Sequence, residues 1–403
     1  MINNQFEYLP VNWVDGMKIN KSHFIAQNNA HTNQMALGLS ATLNDFSYGL
    51  LPISGNVPKI TVSIDNQQQV QVRLHQCQAI TSGGHLIQIG EGEVANGEAF
   101  GTMIPEMSLP FQRLKGKSTA LYIVLVINPY ERNPYGQADL TELPPRLPFS
   151  RPGYSLHLIP TVELSSHSIG EYQLPIGKIR VLENNVTLDE DYIPPCAKIN
   201  SHFELINVHA GMEQFFGKLE LNSLQIIQKI LQKKQQNDMA QIVHKLCEQV
   251  IHFTSFHLGD FKMLGPDQPP LYLINRTVGF ARLLKNSLDF YIGSGKEELV
   301  NYCVEWCGVE KGELEGSLLA LSHHPYDHLN IDLSIEKVEA MAKCIGNLWV
   351  NLAKLDYIGK RKDTGIFVKE QVAQKEPGYS AKDHVNPPTT DERPGKRKSF
   401  FLE

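Results

Sequence analysis

The sequence predicts an α+β multidomain protein, in which an N-terminal β-sandwich is followed by an α-helical bundle and a disordered tail. Short runs of alternating apolar and polar residues, separated by Gly, Pro and Asn, fill much of the first half of the chain. From residue 199 the apolar residues recur every three or four positions instead. From residue 359 no period remains. These changes predict domains at 1–198, 199–358 and 359–403.

Composition excludes several classes of protein. The chain has 403 residues, of which 42% are hydrophobic and 20% charged, as in soluble globular proteins. A formal net charge of −6 gives no general electrostatic basis for binding nucleic acid, so we expect no nucleic-acid partner. Six scattered cysteines indicate reduced thiols in a cytoplasmic protein rather than a disulfide framework.

The chain shows no segment that would carry it into or through a membrane. Its start, MINNQFEYLP, lacks the basic and apolar regions of a signal peptide. The longest strongly apolar run, residues 121–127, is far shorter than the roughly 20 residues of a membrane-spanning helix. We therefore expect no direct membrane insertion, and any membrane role would pass through a partner.

The first half begins with a helix and continues as strands. Residues 22–44 have helical character, with Ser22 as a candidate N-cap. Residues 60–64 and 70–74 both alternate, and the polar turn DNQQQ between them predicts a hairpin. GGHLIQIG predicts a further strand, and ALYIVLVI at 120–127 predicts a strand buried on both faces.

Two more strand regions follow a segment that is rich in proline and glycine. YSLHLIPTVEL and LPIGKIRVLENNVTL predict strands, whereas residues 133–154 are expected to form a long irregular loop. Pro194 and Pro195 then end the strand pattern.

Four apolar stripes predict the helical bundle. Each has the alternating three and four spacing of a coiled-coil-like seam. The stripes are Val208, Met212, Phe215 and Leu219; Met239, Val243, Leu246, Val250 and Phe253; Leu271, Ile274, Val278 and Ala281; and Ile335, Val338, Ala342, Ile345, Trp349 and Leu352. The spacing fits both a core and an oligomer seam, and it does not separate the two uses.

The tail is a basic arm on an acidic body. Residues 359–403 hold ten Lys or Arg and seven Asp or Glu, which leaves the body at about −9. The last ten residues join a basic cluster to two aromatic residues: Lys396, Arg397, Lys398, Phe400 and Phe401. This end is either a solvated terminus or a short motif that docks on a partner.

Chemistry-bearing motifs are sparse, and the sequence predicts no catalytic residue, no metal and no cofactor. The segment HHPYDH contains four metal-ligand types: His323, His324, Asp327 and His328. Pro325 prevents His324 and His328 from sharing a regular helix face. A structural turn is favoured here, and a metal-dependent hydrolase is kept as an alternative function.

The stretch VNWVDGMKINKSHFIAQ, residues 11–27, has the density of aromatic, Gly and Met residues expected of a docking element. Gly16 permits a tight turn, and Trp13, Met17 and Phe24 can form an apolar pad. His23 is expected to be structural. The segment either packs the first helix on the sandwich or contacts a partner, and the two roles are compatible.

This stretch resembles the amino-terminal signature of the TssK family, the baseplate subunits of bacterial type VI secretion systems. The residues that carry the resemblance are Val11, Trp13, Gly16, Met17, Ile19, His23, Phe24 and Gln27. Later segments are also similar to the family: YGLLPI, LPFSRPGYSLHLIP, LPIGKIRVLENNVTLDEDYIPPCAKI, PPLYLINRTVGFARLL and HHPYDHLNIDLSIEKV. The order and spacing of these segments hold over most of residues 8–355.

The resemblance implies a homotrimer with a β-sandwich related to the shoulder of phage receptor-binding proteins and a helical neck. It also implies attachment to the TssF–TssG wedge and assembly at the cytoplasmic face of the inner membrane. The family's carboxy-terminal head domain, which docks on the membrane-anchoring complex, has no counterpart after about residue 358. The sequence therefore suggests a shorter variant in which the neck or the tail contacts membrane-anchoring proteins.

Two alternatives to this non-enzymatic adaptor stay open. One is a phage-tail-like receptor-binding or carbohydrate-binding protein on the same scaffold. The other is the hydrolase on the histidine segment.

Overall fold

The computed structural model describes residues 8–52, 58–90, 94–95, 98–99, 104–114, 120–165, 168–182, 185–310 and 312–359. The chain divides into two compact units. The first comprises residues 1–210, 260–276 and 325–336, and the second comprises residues 211–259, 277–324 and 337–403. The proposed tail, 360–403, and Ile53 of the segment YGLLPI lie outside the described residues.

The first unit contains two antiparallel sheets and a small two-stranded pair. The first sheet holds β1 (Gly49–Leu50), β2 (Lys59–Ile64), β3 (Gln69–Ile80), β4 (Leu86–Ile89) and β7 (Glu106–Pro110). The small pair is β5 (Val94–Ala95) with β6 (Glu98–Ala99). The second sheet has the order β11-β10-β8-β9, with β8 (Ala120–Tyr135), β9 (Phe149–Pro160), β10 (Gln173–Leu182) and β11 (Asn185–Leu188).

The predicted hairpin and the predicted buried strand are both confirmed. Strands β2 and β3 pair with Ile60 opposite Leu74 and Ile64 opposite Val70. Five consecutive residues of β8, from Leu121 to Leu125, are buried, so both faces of this strand are covered. The two sheets also meet, because a Cβ added at Gly177 on β10 would lie 2.9 Å from Ile60 Cδ1 on β2.

The prediction of a long loop at 133–154 is wrong at both ends, because strands extend into it. Strand β8 continues to Tyr135 and β9 begins at Phe149, with Asn133 paired opposite Arg151. Pro152 is tolerated because β9 is the edge strand, and Pro134 because this part of β8 pairs with β9 alone, so each backbone has one side without ladder hydrogen bonds. The connection is therefore residues 136–148.

The helices are α1 (Lys21–Ser40), α2 (Phe203–Gln232), α3 (Asp238–Leu264), α4 (Pro270–Asp289), α5 (Lys296–Cys307), α6 (Glu313–Ser322) and α7 (Ile331–Lys354). The predicted order of a β region followed by a helical region is thus confirmed. No helix in the described ranges has the length and apolar character needed to cross a bilayer.

Most residues of the predicted apolar stripes are buried, whereas Met239, Phe253, Leu271 and Val278 are half-buried. In α7 all six predicted positions are buried. The Trp349 indole N–H donates to Ser223 Oγ of α2 at 2.8 Å, which satisfies two polar groups inside the core. Phe280 of α4 lies 5.3 Å from Phe216 and 5.0 Å from Phe253, measured between ring centroids. These aromatic contacts join α2, α3 and α4.

Candidate functional site

The amino-terminal segment forms an exposed aromatic pad. Trp13 is 44% exposed and Phe24 is 62% exposed. Their ring centroids are 6.2 Å apart, and the His23 ring lies edge-on to Trp13 at 6.1 Å. We call Trp13 and Phe24 the aromatic pad. Two large aromatic side chains placed side by side in solvent are characteristic of an interaction surface.

The turn that brings Trp13 towards the helix depends on Gly16. Its φ is +78°, a left-handed conformation that glycine adopts readily. A Cβ there would have no atom within 4 Å, so the backbone angle rather than crowding selects glycine. The Met17 N–H donates to the Val14 carbonyl at 3.2 Å and closes the turn, and the Met17 side chain is half-buried.

The N-cap of α1 is Asn20, and the expectation that Ser22 fills this role is wrong. Asn20 has an extended backbone, and its Oδ1 accepts from the Ser22 N–H at 2.9 Å. The Ser22 hydroxyl also donates to that oxygen. Asn is as good a cap as Ser, and the geometry places it one residue before the helix begins.

Gln27 connects the extended stretch to α1. The Val11 backbone N–H donates to Gln27 Oε1 at 3.0 Å, and Gln27 Nε2 lies 2.8 Å from His31 Nε2. This side chain was predicted to contact a partner. Its hydrogen bonds give it a positioning role, because they hold the extended segment that carries Trp13 against the helix that carries Phe24.

Helix α1 is fixed to the first unit by polar contacts with β8. Tyr130 donates its hydroxyl to Asn33 Oδ1 at 3.2 Å, and Arg132 Nη2 donates to Asn29 Oδ1 at 3.3 Å. Only Ala30 and Ala36 of this helix are buried. The helix therefore stands on the sheet domain, with most of its surface, including Phe24, available.

A second exposed apolar surface lies on α2, and sequence analysis did not separate it from the buried stripe. Leu221, Leu224 and Leu231 are exposed and share one face with Gln228 at spacings of three, four and three. Phe203 and Ile206 are exposed at the start of the same helix. We call Leu221, Leu224 and Leu231 the α2 stripe. Its spacing is that of a coiled-coil seam that has no partner within the described part of the chain.

The histidine segment has structural partners. His328 is fully buried; its Nε2 donates to the Tyr48 carbonyl at 2.9 Å, so its Nδ1 accepts the Tyr326 hydroxyl at 2.7 Å. Asp327 accepts from the Leu329 N–H at 3.0 Å and from Asn330 at 2.6 Å, just before α7 begins.

The two preceding histidines belong to the second unit. Lys337 Nζ donates to His324 Nδ1 at 2.8 Å, and His323 Nδ1 lies 3.0 Å from the Ser322 hydroxyl. Burial, followed by the Lys337 charge, lowers the pKa of His324. Across the described ranges, no group of three or more His, Cys, Asp or Glu side chains is arranged to hold a metal ion.

The tail residues predicted to dock, Lys396, Arg397, Lys398, Phe400 and Phe401, lie outside the described residues.

No model of a known protein family matches the chain, and no curated protein matches it. Several solved structures do match. A crystal structure of TssK is 16% identical with a TM-score of 0.43, over 83% of this chain and 68% of that one. TssK from the type VI secretion system of EAEC, solved with a nanobody, is 11% identical with a TM-score of 0.44, over 81% and 98%. A chain of a TssK–TssF–TssG baseplate subcomplex, seen by cryo-electron microscopy, is 12% identical with a TM-score of 0.44, over 84% and 99%.

Proposed function

We propose that this chain is a TssK-like structural subunit of a type VI secretion baseplate, which acts as a trimeric adaptor and not as an enzyme. The observation that carries the proposal is the aromatic pad. It lies inside the sequence signature of residues 11–27, it is exposed, and it is held by a defined turn, cap and glutamine bridge. The order of the later sequence segments supports the same assignment.

The aromatic pad is the proposed contact for the TssF–TssG wedge. TssF and TssG are the proteins that accompany TssK in the baseplate subcomplex. Large aromatic side chains dominate the energetics of protein interfaces when they enter a pocket of the partner. Because Gln27 and Asn20 fix the segment in advance, little conformational entropy is lost when it binds.

The α2 stripe is the proposed seam of the homotrimer. An isolated chain would leave three leucines of one helix face in water, whereas parallel copies would bury them against one another. Gln228 within the stripe would lie in the same seam, and a polar residue there helps to fix register.

The membrane side of the adaptor is proposed to involve the neck or the tail. The segment with Lys396, Arg397, Lys398, Phe400 and Phe401 has the charge and aromatic content of a short docking motif for a membrane-anchoring protein. The assembled complex would then sit at the cytoplasmic face of the inner membrane.

Solution mass by light scattering tests the trimer. The wild-type chain should give a mass near three times 45.3 kDa. The double variant Leu221→Asp with Leu224→Asp should give the mass of one chain, because two charges per copy would be buried in the seam. Leu319→Asp on α6 is the matched control, since Leu319 is 50% exposed and Leu221 is 57% exposed. A wild-type monomer, or a double variant that stays trimeric, would contradict the proposed seam.

Co-purification with TssF and TssG tests the aromatic pad. Trp13→Ala with Phe24→Ala should weaken capture of the wedge at least about tenfold and leave the trimer mass unchanged. Val162→Ala, which removes an exposed apolar side chain elsewhere in the first unit, is the control. Unchanged capture by the pad variant would show that the wedge binds another surface.

A further inference from the structure

The turn before α5 presents two large apolar side chains to solvent. Phe290 is 82% exposed and Ile292 is 63% exposed. The turn is held by hydrogen bonds from the Ile292 N–H to the Asp289 backbone carbonyl at 3.2 Å and from the Lys296 N–H to the Tyr291 backbone carbonyl at 3.0 Å. Lys296 Nζ also pairs with the Asp289 carboxylate at 2.7 Å. The exposure of Phe290 and Ile292 therefore belongs to a fixed backbone.

Among the described residues, the outward face of α5 is acidic and carries no unpaired cation. The side chains of Glu297, Glu298 and Glu305 are exposed and make no ion pair or hydrogen bond with other described residues. Lys296 is already shared between Asp289 and Glu315. Residues 296–323 contain six glutamates and two lysines.

The helix dipole explains only part of this charge. Glu297 and Glu298 lie in the first turn of α5, where negative charge is favourable. Glu305 lies in the last turn, where negative charge is unfavourable, and it is next to the exposed Val304. We call Phe290, Ile292, Glu297, Glu298, Val304 and Glu305 the α5 patch. A cation with an apolar neighbour would complement it.

Residues 396–402 have that chemistry with no acidic residue between the cations and the apolar residues, unlike the segment KRKDTGIFV at 360–368. Residues 396–402, KRKSFFL, place three cations directly before two phenylalanines and a leucine. The pairing follows the charge asymmetry of the whole chain, in which a basic tail accompanies an acidic body.

The tail leaves the described part of the chain beside α5. Tyr302 of α5 donates its hydroxyl to the Tyr357 carbonyl at 3.4 Å, and Asn351 Nδ2 donates to the Cys307 carbonyl at 2.8 Å. The 36 residues between 360 and 395 could span about 120 Å if fully extended. Helix α5, with 12 residues, is about 18 Å long. The tether is long enough to return, and a tethered contact has an effective concentration in the millimolar range.

We propose that residues 396–402 dock on the α5 patch of their own chain. The three cations pair with Glu297, Glu298 and Glu305, and the aromatic residues cover Phe290 and Ile292. The segment that is assigned above to a membrane-anchoring partner thus has a resting site, and a partner must compete for it. This contact within the chain does not require the trimer to form.

Photo-cross-linking in the full-length protein tests this contact. A p-benzoylphenylalanine at position 401 should give products within a single chain that map by mass spectrometry to residues 290–305. Glu297→Lys with Glu298→Lys and Glu305→Lys should lower the yield about tenfold, because each exposed ion pair becomes a repulsion. Adding Lys396→Glu, Arg397→Glu and Lys398→Glu to that variant should restore the yield.

A control variant keeps the test specific. Glu163→Lys with Glu171→Lys and Glu190→Lys makes the same change of net charge at exposed sites of the first unit, and it should leave the yield unchanged. Products that map outside 290–305, products of twice the chain mass, or a yield that charge reversal does not alter would overturn the proposal. Light scattering on the same samples measures the solution mass. A failure of the trimer proposal can therefore be distinguished from a failure of the tail contact.

Discussion

His328 should make the stability of the first unit depend on pH. Its ring is fully buried and accepts the Tyr326 hydroxyl through Nδ1. Burial lowers its pKa to about 4, although the Tyr48 carbonyl and then the Asp327 charge act in the opposite direction. Protonation would bury a charge and remove the acceptor at Nδ1. The folded state therefore binds this proton less well than the unfolded state does.

The sign and size of the effect follow from that difference. Because the folded pKa lies below the ordinary value of 6.5, the stabilisation is complete above pH 6.5 and is lost as the pH falls towards 4. The full difference corresponds to about 3 kcal/mol, and about 2 kcal/mol of it should be lost between pH 8 and pH 5. Burial also lowers the pKa of His202 to about 4, so this group should add a loss in the same direction.

Urea unfolding at pH 8 and pH 5, followed by circular dichroism, measures this loss. The variant His328→Gln keeps a polar group at the site and removes the titration. It should be less stable than wild type at pH 8, and its further loss at pH 5 should be about 2 kcal/mol smaller. His157→Gln, on the exposed surface of β9, is the control and should retain the wild-type loss. If His328→Gln shows the same pH dependence as wild type, the burial argument is refuted.

Three further expectations concern packing. Gly49→Ala should cost about 3 kcal/mol or more of unfolding free energy, because φ is +114° and the new Cβ would lie 2.0 Å from the Pro195 carbonyl oxygen; Gly38→Ala, in open space on α1, should be neutral or stabilising in the same urea titration. Trp349→Phe should cost about 2 kcal/mol of unfolding free energy, since it leaves the buried Ser223 hydroxyl without the indole donor. A loss in the double variant with Ser223→Ala that is smaller than the sum of the two single losses would confirm the pair. All six cysteines are free and buried, so a thiol reagent should label them slowly in the native protein and fully in urea; rapid labelling of native protein would contradict the described burial.

The pattern of the sequence predicted the strands whose periodicity is local. The hairpin between β2 and β3 follows from a period of two around a polar turn, and the burial of β8 follows from its continuous apolar run. The arms of the 136–148 connection were missed, because Pro134 and Pro152 argue against strand while the edge position that tolerates them is a property of the sheet.

The sequence indicates which apolar residues gather in the amino-terminal segment, but not how their polar neighbours hold them. The sequence indicated Trp13, Met17 and Phe24 as an apolar pad; the structure places Trp13 and Phe24 side by side, while Met17 is half-buried. It gave no sign that Gln27 bridges to Val11, because that hydrogen bond depends on the turn at Gly16. The sequence indicates His328 as a candidate metal ligand because it does not show the residue's structural partner. The Tyr48 carbonyl, which accepts its hydrogen bond, is 280 residues away in the chain.

The α2 stripe shows why a single period is ambiguous. The predicted stripe from Val208 to Leu219 is buried, whereas Leu221, Leu224 and Leu231 form a second stripe on the exposed face. A helix with two apolar faces carries one core signal and one surface signal at the same spacing. The position of neighbouring helices, rather than the pattern, distinguishes them.

The end of the described chain has a mechanical consequence. Ile358 is buried, its N–H donates to Gln235 Oε1 at 3.0 Å, and its carbonyl accepts from Asn237 Nδ2 at 3.0 Å. Tyr302 holds the neighbouring Tyr357 carbonyl. A load pulling on the tail would be divided between the α2–α3 connection and α5 before it reached α7. Several hydrogen bonds loaded in parallel resist a sudden force better than a single helix end that opens one turn at a time.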